Sequence, residues 1–401
     1  MKYDIIIAGG GMIGSSLALA LAPLSLKVAI VEPVTPEADT QPSFDERSTA
    51  LSRSTQRMYE AMGLWDSIAA ASTPVTRIHV SDQGSFGFSH IDAAQQDVEA
   101  LGYVVINRVL GSVLQNALAD VPNLNILCPA KITAALPAPD RTTVSLQQAD
   151  GTTEELDCRL LVAADGARSA VRDMLGIAVK HVAYGQRAIV GNLLPEKPLN
   201  NCAYERFTSN GPLAMLPITD GRAGFVWTVA EEDAEQILTL GDDAFLAELQ
   251  RAFGQRLGRL SRVGERSSYP LHLTKALRLT ASRSVLVGNA AHGLHPVAAQ
   301  GFNLGLRDVA ALCDCIAKFD LDDAELLEYY AEWRKNDQRK LVGFTDGLVN
   351  LFSTRRRPLR ALRGLAMLGF DVVPGVRSLF AKHTMGLTGR LPRLSRGVPL
   401  L

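Results

Sequence analysis

Three glycines early in the chain have the spacing of a loop that holds phosphate groups. Gly9, Gly11 and Gly14 follow a run of isoleucines at residues 5–7 and precede an Ala/Leu-rich stretch, which predicts a buried strand, a tight turn and a helix. Gly9 permits the turn, Gly11 lets the main chain approach the phosphates, and Gly14 lets the helix pack closely on the strand. The helix N-terminus would then direct unpaired N–H groups and its positive dipole end at an anion.

A carboxylate follows the second predicted strand. The apolar segment 27–31 ends at Glu32, and an acid about 20 residues beyond such glycines accepts hydrogen bonds from ribose hydroxyls. Because a carboxylate suits a free 2′-hydroxyl better than a 2′-phosphate, the pattern indicates FAD or NAD rather than NADP. The alternative is a strand–turn–helix unit that binds nothing, since glycines cluster in many turns.

Two further predicted strands end in residues that suit the same ligand. The buried segment 160–164 runs into Asp165 and Gly166, and the segment 284–287 leads to Asn289. Ligands of open parallel sheets bind beyond the carboxyl ends of the strands, so Asp165 and Asn289 fall on the expected functional edge. Capping of the following helix is the alternative role of Asp165.

The last candidate contact opens a later predicted helix. Gly301, Phe302 and Asn303 would offer backbone N–H groups to a negatively charged ring edge. His292 and His295 lie three residues apart just before this helix, and no third ligand is close in sequence. We therefore expect a hydrogen-bonded loop pair at these histidines and no metal site.

Composition and charge limit the classes of protein to which this chain can belong. The chain has 401 residues, 47% hydrophobic and 21% charged, which is typical of a soluble globular protein with two substantial cores. A net charge of −1 argues against nucleic acid as the main partner. We find neither an uninterrupted apolar run of about 18 residues nor a separate leader segment, so we expect a cytoplasmic location.

The strand-rich segments between the motifs predict a second domain. Short alternating strands with turn signals such as Asp220-Gly221 fill these segments, and a helix at 243–253 would cover one face. We expect an α/β fold with a Rossmann-like nucleotide-binding domain and a discontinuous second domain on a mostly antiparallel sheet. The first domain would comprise residues 1–74, 106–183 and 274–354, and the second residues 75–105 and 184–273.

Residues 355–401 are predicted to form a basic, helical C-terminal tail, preceded by helices at 324–340 and 343–352. From Arg355 onward there are nine Arg and one Lys against the single acid Asp371, a net charge of +9. Because the whole chain carries −1, the first 354 residues carry −10. Apolar residues between the positive charges suit an anionic membrane surface, and packing on the first domain is the alternative.

Together these motifs resemble the single-component, FAD-dependent aromatic hydroxylases, the class that includes p-hydroxybenzoate hydroxylase. Within that class the chain is similar to the hydroxylases of ubiquinone biosynthesis, and most similar to those that act on 2-octaprenyl-6-methoxyphenol. The resemblance covers essentially the first 354 residues. It is carried by the glycine motif with Glu32, Asp165-Gly166, the segment 205–217, Gly288-Asn289-Ala290-Ala291-His292, Pro296 and Gly301-Phe302-Asn303.

The resemblance implies which residues contact the cofactor FAD. Asp165 would contact both the flavin nucleotide and the incoming NADH or NADPH, and Pro296 would border the flavin ring, with no acid or base residue assigned. Asn289 replaces the usual aspartate, keeping a hydrogen bond but losing a charge, so weaker flavin binding is expected. The residues assigned to FAD are Gly9, Gly11, Gly14, Glu32, Arg47, Arg108, Asp165, Gly166, Asn289, Gly301, Phe302 and Asn303.

The resemblance also implies a reaction. Flavin reduced by NADH or NADPH would react with O2 to a C4a-hydroperoxide, whose distal oxygen passes to the ring of a polyprenylated methoxyphenol, para to its hydroxyl. A sibling activity at another ring position and a flavin-binding scaffold of the biosynthetic complex are the alternatives. A lipid substrate gives the tail a possible role at a membrane surface, and other ubiquinone-biosynthesis proteins or a second copy are further candidate partners.

Overall fold

Three sheets organise the chain, which a computed structural model describes over residues 2–36, 43, 45–83, 88–293, 300–353 and 374–401. In chain order the strands are β1 (Lys2–Ala8), β2 (Val28–Val31), β3 (Ser48–Ser52), β4 (Ser72–Val75), β5 (Arg77–Asp82), β6 (Phe88–Asp92), β7 (Gly102–Ile106), β8 (Leu124–Leu127), β9 (Ala130–Pro137), β10 (Thr142–Gln148), β11 (Thr153–Ala163), β12 (Val179–Pro195), β13 (Cys202–Thr208), β14 (Gly211–Pro217), β15 (Ala223–Ala230), β16 (Leu260–Ser261), β17 (Ser267–Ala276), β18 (Thr280–Ala281), β19 (Ser284–Leu286) and β20 (His292–Gly293). The helices are α1 (Met12–Leu21), α2 (Arg53–Ala61), α3 (Trp65–Ala69), α4 (Asn107–Leu118), α5 (Ala170–Met174), α6 (Glu231–Leu238), α7 (Asp242–Phe253), α8 (Gln300–Lys318), α9 (Ala324–Ser353) and α10 (Pro374–Thr384).

The first sheet is the predicted nucleotide-binding sheet. Its strands run in the order β18-β19-β11-β1-β2-β8, and β1 lies between β2 and β11, parallel to both. Ile5, Ile6 and Ile7 are all buried, as expected for a strand covered on both faces, and α1, α4 and α8 pack together beside the sheet. The predicted Rossmann-like fold is confirmed.

The second sheet is mostly antiparallel, as predicted. Its order is β20-β17-β12-β15-β14-β13-β5-β6, and only the β13–β5 pair is parallel among the described neighbours. Phe245, Leu249 and Phe253 of α7 pack with Phe225 and Trp227 on one face of this sheet. One face is therefore covered by its own helices, and the opposite face is turned toward the first domain.

A small third sheet joins the two larger ones and has no counterpart in the sequence-based prediction. Strand β7 pairs antiparallel with both β3 and β4. Val75 and Val104 of this sheet form an apolar cluster with Ala203 of the second sheet and with Ile218, which follows β14. Since these strands lie far apart in sequence, their pairing depends on the tertiary fold.

The C-terminal helices differ from the prediction in one respect. The helices predicted at 324–340 and 343–352 are one continuous helix, α9, which contains Gly343 and Gly347, because each internal glycine costs a helix only about 1 kcal/mol. Beyond α10 the chain packs on the first domain: Leu394 and Leu400 are buried in the core that contains β1. Residues 355–373 of the tail lie outside the described part, and the domain boundaries stay a prediction.

No helix within the described ranges is long and apolar enough to cross a membrane.

Candidate functional site

The glycine turn has the geometry that an anion requires. Gly9 has a φ of +100°, and a Cβ placed on it would lie 2.6 Å from the carbonyl oxygen of Ala164. A Cβ on Gly14 would overlap the carbonyl oxygen of Gly9, so α1 approaches the strand too closely for any other residue. Gly11 caps α1 without a side-chain acceptor, which leaves the first N–H groups of the helix available to a ligand.

Glu32 lies directly beside this turn. Its Oε2 atom accepts a hydrogen bond from the N–H of Gly10 at 2.6 Å, and its Oε1 atom accepts one from the N–H of Val34 at 3.0 Å. The parallel pairing of β1 with β2 brings the two strand ends together. The carboxylate predicted to follow the second strand is therefore held in contact with the glycine loop.

Asp165 follows β11 and has one satisfied and one open oxygen. Its Oδ2 atom accepts a hydrogen bond from the N–H of Val171 at 3.1 Å, which is the predicted capping role. Its Oδ1 atom is buried and accepts no hydrogen bond from any described residue. A buried carboxylate oxygen without a donor is rare in native proteins, so this atom fits a hydroxyl or N–H group of a bound dinucleotide. Gly166, with a φ of +81°, turns the chain away immediately afterwards.

The third strand end meets the first two. The N–H of Val287 donates to the carbonyl of Ala163 at 3.0 Å, so β19 ends beside β11. A Cβ on Gly288 would lie 3.3 Å from Ile13 of α1, whereas the side chain of Asn289 is exposed at the same edge. The structure thus brings Asn289 to the edge that already carries Asp165 and the glycine turn.

Asn303 uses its side chain to position α8. Its Oδ1 atom accepts hydrogen bonds from the N–H of Ser52 at 2.8 Å and the hydroxyl of Thr55 at 2.7 Å, and its Nδ2 atom donates to Ala50 at 2.9 Å. A ligand contact from Asn303 would therefore come from its backbone, as the sequence predicts.

The neighbours of Asn303 differ in their surroundings. A Cβ on Gly301 would meet nothing within 4 Å, and the side chain of Phe302 packs against the main core. Pro296 and His295 lie outside the described residues.

Arg47 and Arg108 lie close to each other, and both contact the segment Asp45–Glu46. The backbone N–H of Arg108 donates to the carbonyl of Asp45 at 2.9 Å, and its guanidinium pairs with Glu46 at 2.6 Å. The Arg47 guanidinium pairs with Asp45 and lies 5.9 Å from the ring of Tyr269 in the second sheet. Burial raises the pKa of Tyr269. Both arginines stand where the two large sheets meet, and each already has a carboxylate partner.

A buried charge network behind the third strand end is absent from the sequence-based prediction. Asp308 of α8 accepts hydrogen bonds from the N–H of Gly288 at 3.1 Å and from Arg334 Nε at 2.7 Å, and contacts His292 Nε2 at 2.5 Å. Burial alone would raise the pKa of Asp308, but His292 and Arg334 outweigh it and lower the pKa to about 2. His292 therefore pairs with a helix carboxylate. Arg334 lies one helix further on, and no local pattern indicates that it reaches Asp308.

The face of the second sheet opposite α6 and α7 lies against the nucleotide edge. A Cβ on Gly224 would come within 2.5 Å of Ser48 Oγ, and Leu216 packs in a cluster with Ala203 and Ala50. Ala50 is the residue whose carbonyl oxygen accepts the hydrogen bond from Asn303. This sheet face and the start of α8 therefore border one space.

Comparisons with known proteins decide the family. The profile of the family described as "FAD binding domain" matches residues 2–345. The ubiquinone hydroxylase UbiL of Rhodospirillum rubrum is 39% identical over 406 residues, which cover 99% of this chain and 93% of that protein. The 3-demethoxyubiquinol 3-hydroxylase of Escherichia coli is 31% identical over 395 residues, covering 96% of this chain and 98% of that protein. The chain belongs to the FAD-dependent hydroxylases of ubiquinone biosynthesis.

The fold of this hydroxylase agrees with a solved structure. The crystal structure of p-nitrophenol 4-monooxygenase PnpA from Pseudomonas putida DLL-E4 matches with a TM-score of 0.81 at 19% identity, covering 97% of this chain and 99% of that chain. The predicted cofactor FAD and the predicted class, an FAD-dependent monooxygenase of ubiquinone biosynthesis, are confirmed.

Proposed function

We propose that this hydroxylase transfers one oxygen atom of O2 to the ring of a polyprenylated methoxyphenol, para to its hydroxyl, with NADH or NADPH as the reductant. The observation that supports this most directly is the convergence of three strand ends, where Asp165 Oδ1 lies buried without a described donor. An extended dinucleotide crosses such an edge in open parallel sheets. The apolar face of the second sheet beside it suits a prenylated ring.

In this proposal the chain holds FAD along the converging edge. The Gly9–Gly14 turn and the start of α1 bind the pyrophosphate, and Glu32 accepts from the adenosine ribose. Asn289 contacts a ribitol or ribose hydroxyl, and residues 301–303 offer backbone N–H groups to the flavin ring. FAD supplies the reduction and oxygen-transfer chemistry when bound. The chain orients the phenol ring and excludes water from the site.

Arg47, Arg108 and Asp165 complete the proposed binding set. The two arginines would contact the phosphates of FAD, for which a guanidinium is well suited. Asp165 would accept hydrogen bonds from the flavin nucleotide through its open oxygen and approach the nicotinamide cofactor during reduction.

The ring position separates this proposal from a second candidate. Asn289 in place of the usual aspartate favours the methoxyphenol branch, whereas the similarity to the E. coli 3-demethoxyubiquinol 3-hydroxylase favours attack at a different carbon. The test is to supply purified holoenzyme with NADPH, O2 and each of the two prenylated phenols, and to locate the new hydroxyl by mass spectrometry and NMR. Hydroxylation of only the demethoxy substrate would overturn the methoxyphenol assignment.

A flavin-binding scaffold without turnover would behave differently in the same assay. A monooxygenase consumes NADPH and O2 faster when its phenol is present. A scaffold would bind FAD but show no stimulation by any prenylated phenol.

We further propose that the surface around α10 contacts the membrane that holds the lipid substrate. Leu379 is 65% exposed on α10, three residues before Lys382. The expected result is that Leu379→Glu lowers co-sedimentation with vesicles of anionic phospholipid. Leu136→Glu is the matched control, because Leu136 is 63% exposed on β9 of the first sheet and does not belong to α10. Equal binding by both variants and the wild type would exclude this surface.

A further inference from the structure

Glu205 is an acidic residue in an apolar row of the second sheet. It lies on β13, where its registered partners are Val80 on β5 and Ala214 on β14. Ala214 is in turn registered with Val226 on β15, which is registered with Val190 on β12. Side chains in register across neighbouring strands share one face, so the Glu205 carboxyl has small apolar neighbours on both sides.

This row is on the face that borders the nucleotide edge. Ala203, two residues earlier and therefore on the same face as Glu205, packs with Leu216 and Ala50. Ala50 accepts the hydrogen bond from Asn303 at the start of α8. The neighbouring residue Tyr204 points the other way, toward Phe253 of α7, with ring centroids 5.9 Å apart. Glu205 thus lies two residues along β13 from Ala203, on the sheet face that borders the start of α8.

No described group satisfies this carboxyl. The Glu205 side chain has no hydrogen bond and no ion pair with any described side chain or backbone group, and the residue is half-buried, as a group lining a cleft is. Burial raises its pKa from 4.5 to about 7. A lone carboxyl in an apolar row destabilises a fold, so a structural role explains it poorly. A carboxylate that titrates near neutral pH suits a general base.

Charged neighbours do not cause the raised pKa of Glu205. Asp82 of β5 is the acid nearest along the same face, and Arg206 follows Glu205 on β13 with its side chain on the opposite face. Neither contributes to the pKa shift, which burial alone causes. On α9, which packs against β13 and β14, the described Arg334 and Asp337 are paired with each other at 2.5 Å.

We propose that the Glu205 carboxylate contacts the phenol hydroxyl of the substrate and accepts its proton during ring hydroxylation. This rests on the function proposed above. The O–H bond of the phenol breaks, the proton bonds to a carboxylate oxygen of Glu205, and the electron pair stays on the phenol oxygen. That pair raises the electron density of the ring carbons ortho and para to the oxygen, which is where an electrophilic oxygen atom adds. Glu205 later returns the proton to solvent, so the enzyme is regenerated unchanged.

The test compares wild-type holoenzyme with Glu205→Gln, which keeps the shape of the side chain but cannot take a proton. General-base catalysis is worth about 10²–10⁴-fold, so we expect product formation to fall by that factor. The wild-type rate should rise with pH through an apparent pKa near 7, and this rise should be absent in the variant. Glu205→Asp should regain part of the rate together with the pH dependence. FAD binding should be unchanged, and NADPH oxidation should release H2O2 in place of hydroxylated product.

The outcomes separate the two levels of the proposal. If the wild type hydroxylates no prenylated phenol, the proposed function fails. If the wild type is active and Glu205→Gln keeps both its rate and its pH dependence, the role of Glu205 alone is overturned. Glu232→Gln, an exposed carboxyl on α6 at the other face of the sheet, is the matched control and should behave as the wild type does.

Discussion

Two carboxyl groups at opposite ends of the proposed active site have pKa values shifted in opposite directions. At the nucleotide edge, Asp308 is completely buried but contacts His292 and Arg334, and its pKa falls to about 2. On the face of the second sheet, Glu205 has apolar neighbours and no described partner, and its pKa rises to about 7. Burial acts in the same direction on both groups, and the partners decide the outcome.

The comparison separates a positioning role from a chemical one. The Asp308 carboxylate, held by His292, Arg334 and the N–H of Gly288, stays ionised at every physiological pH and fixes the backbone at Gly288. A carboxyl without partners changes its charge near neutral pH and so can exchange a proton. In its hydrogen bonds alone, Asp165 lies between Asp308 and Glu205, because one of its oxygens accepts from the N–H of Val171 and the other has no described donor.

Removing the paired carboxylate of Asp308 should have the largest effect on stability. Removing one partner of a buried ion pair typically costs about 3–5 kcal/mol, so Asp308→Asn should lower the free energy of unfolding by that amount, as measured by urea denaturation. Asp308→Asn combined with Arg334→Met should cost less than the sum of the single variants, because the Arg334 charge is removed together with its partner and Asp337 keeps its ion pair with Arg307 at 2.7 Å. A single variant as stable as the wild type would show that the network is not structural.

Removing the unpaired carboxyl of Glu205 should change the free energy of unfolding in the opposite direction. Because folding raises the pKa of Glu205 from 4.5 to about 7, the fold loses stability as pH rises through this window and carries the full penalty above it. Glu205→Gln should therefore stabilise the apoprotein by about 3 kcal/mol at pH 8.5 and have little effect at pH 4.5. Urea denaturation at both values checks this, with Glu232→Gln as the exposed control. A gain that is equal at the two pH values would contradict the role of the charge.

Removing the Asp165 carboxylate should change the affinity for FAD. If the open oxygen of Asp165 accepts a hydrogen bond from FAD, Asp165→Ala should lose about 1.5–3 kcal/mol, or roughly 10–100-fold in the Kd of FAD. Titration of apoprotein with FAD, followed by flavin fluorescence, measures this. Asp173→Ala is the control on the neighbouring helix α5, where the carboxylate side chain is 70% exposed. Equal affinity in both variants would mean that Asp165 serves only as a helix cap.

The smallest effect is expected where an amide replaces a charge. Asn289→Asp should restore a charge-assisted hydrogen bond to a cofactor hydroxyl, worth about 1 kcal/mol or roughly 5-fold tighter FAD binding. The same titration measures the change, and Asn116→Asp on the exposed side of α4 is the control. Weaker binding in Asn289→Asp would place this side chain beside a negative group instead.

The nucleotide edge could be predicted from the sequence because local signals determine it. The order of strand, glycines, helix and acid indicates β1, α1 and Glu32, and the carboxyl ends of parallel strands meet at one edge. Asp165 and Asn289 therefore come together as the sequence predicts, although they are more than a hundred residues apart. The hydrogen bond from Gly10 to Glu32 follows from the same pairing of β1 with β2.

Other parts of the site depend on contacts that no local pattern encodes. The third sheet pairs Ser48–Ser52 with Gly102–Ile106, and the period of either strand alone does not indicate that partner. Arg334 reaches Asp308 only because α8 and α9 pack together. The strand that carries Glu205 was predictable, but the choice of which face meets the first domain is made by docking of the two sheets.

The packing of residues 385–401 on the first domain has a consequence for the order of folding during synthesis. Met385 accepts a hydrogen bond from the N–H of Ser54 at 3.0 Å, and the Arg393 N–H donates to Asp314 at 2.9 Å. These contacts hold α2 and α8, whose first residues lie beside the proposed flavin site, yet Met385 and Arg393 are translated after every described strand of the three sheets. A ribosome-bound chain lacks these contacts even when its sheets have formed. Tight FAD binding is therefore expected only after residues 385–401 have left the exit tunnel of the ribosome.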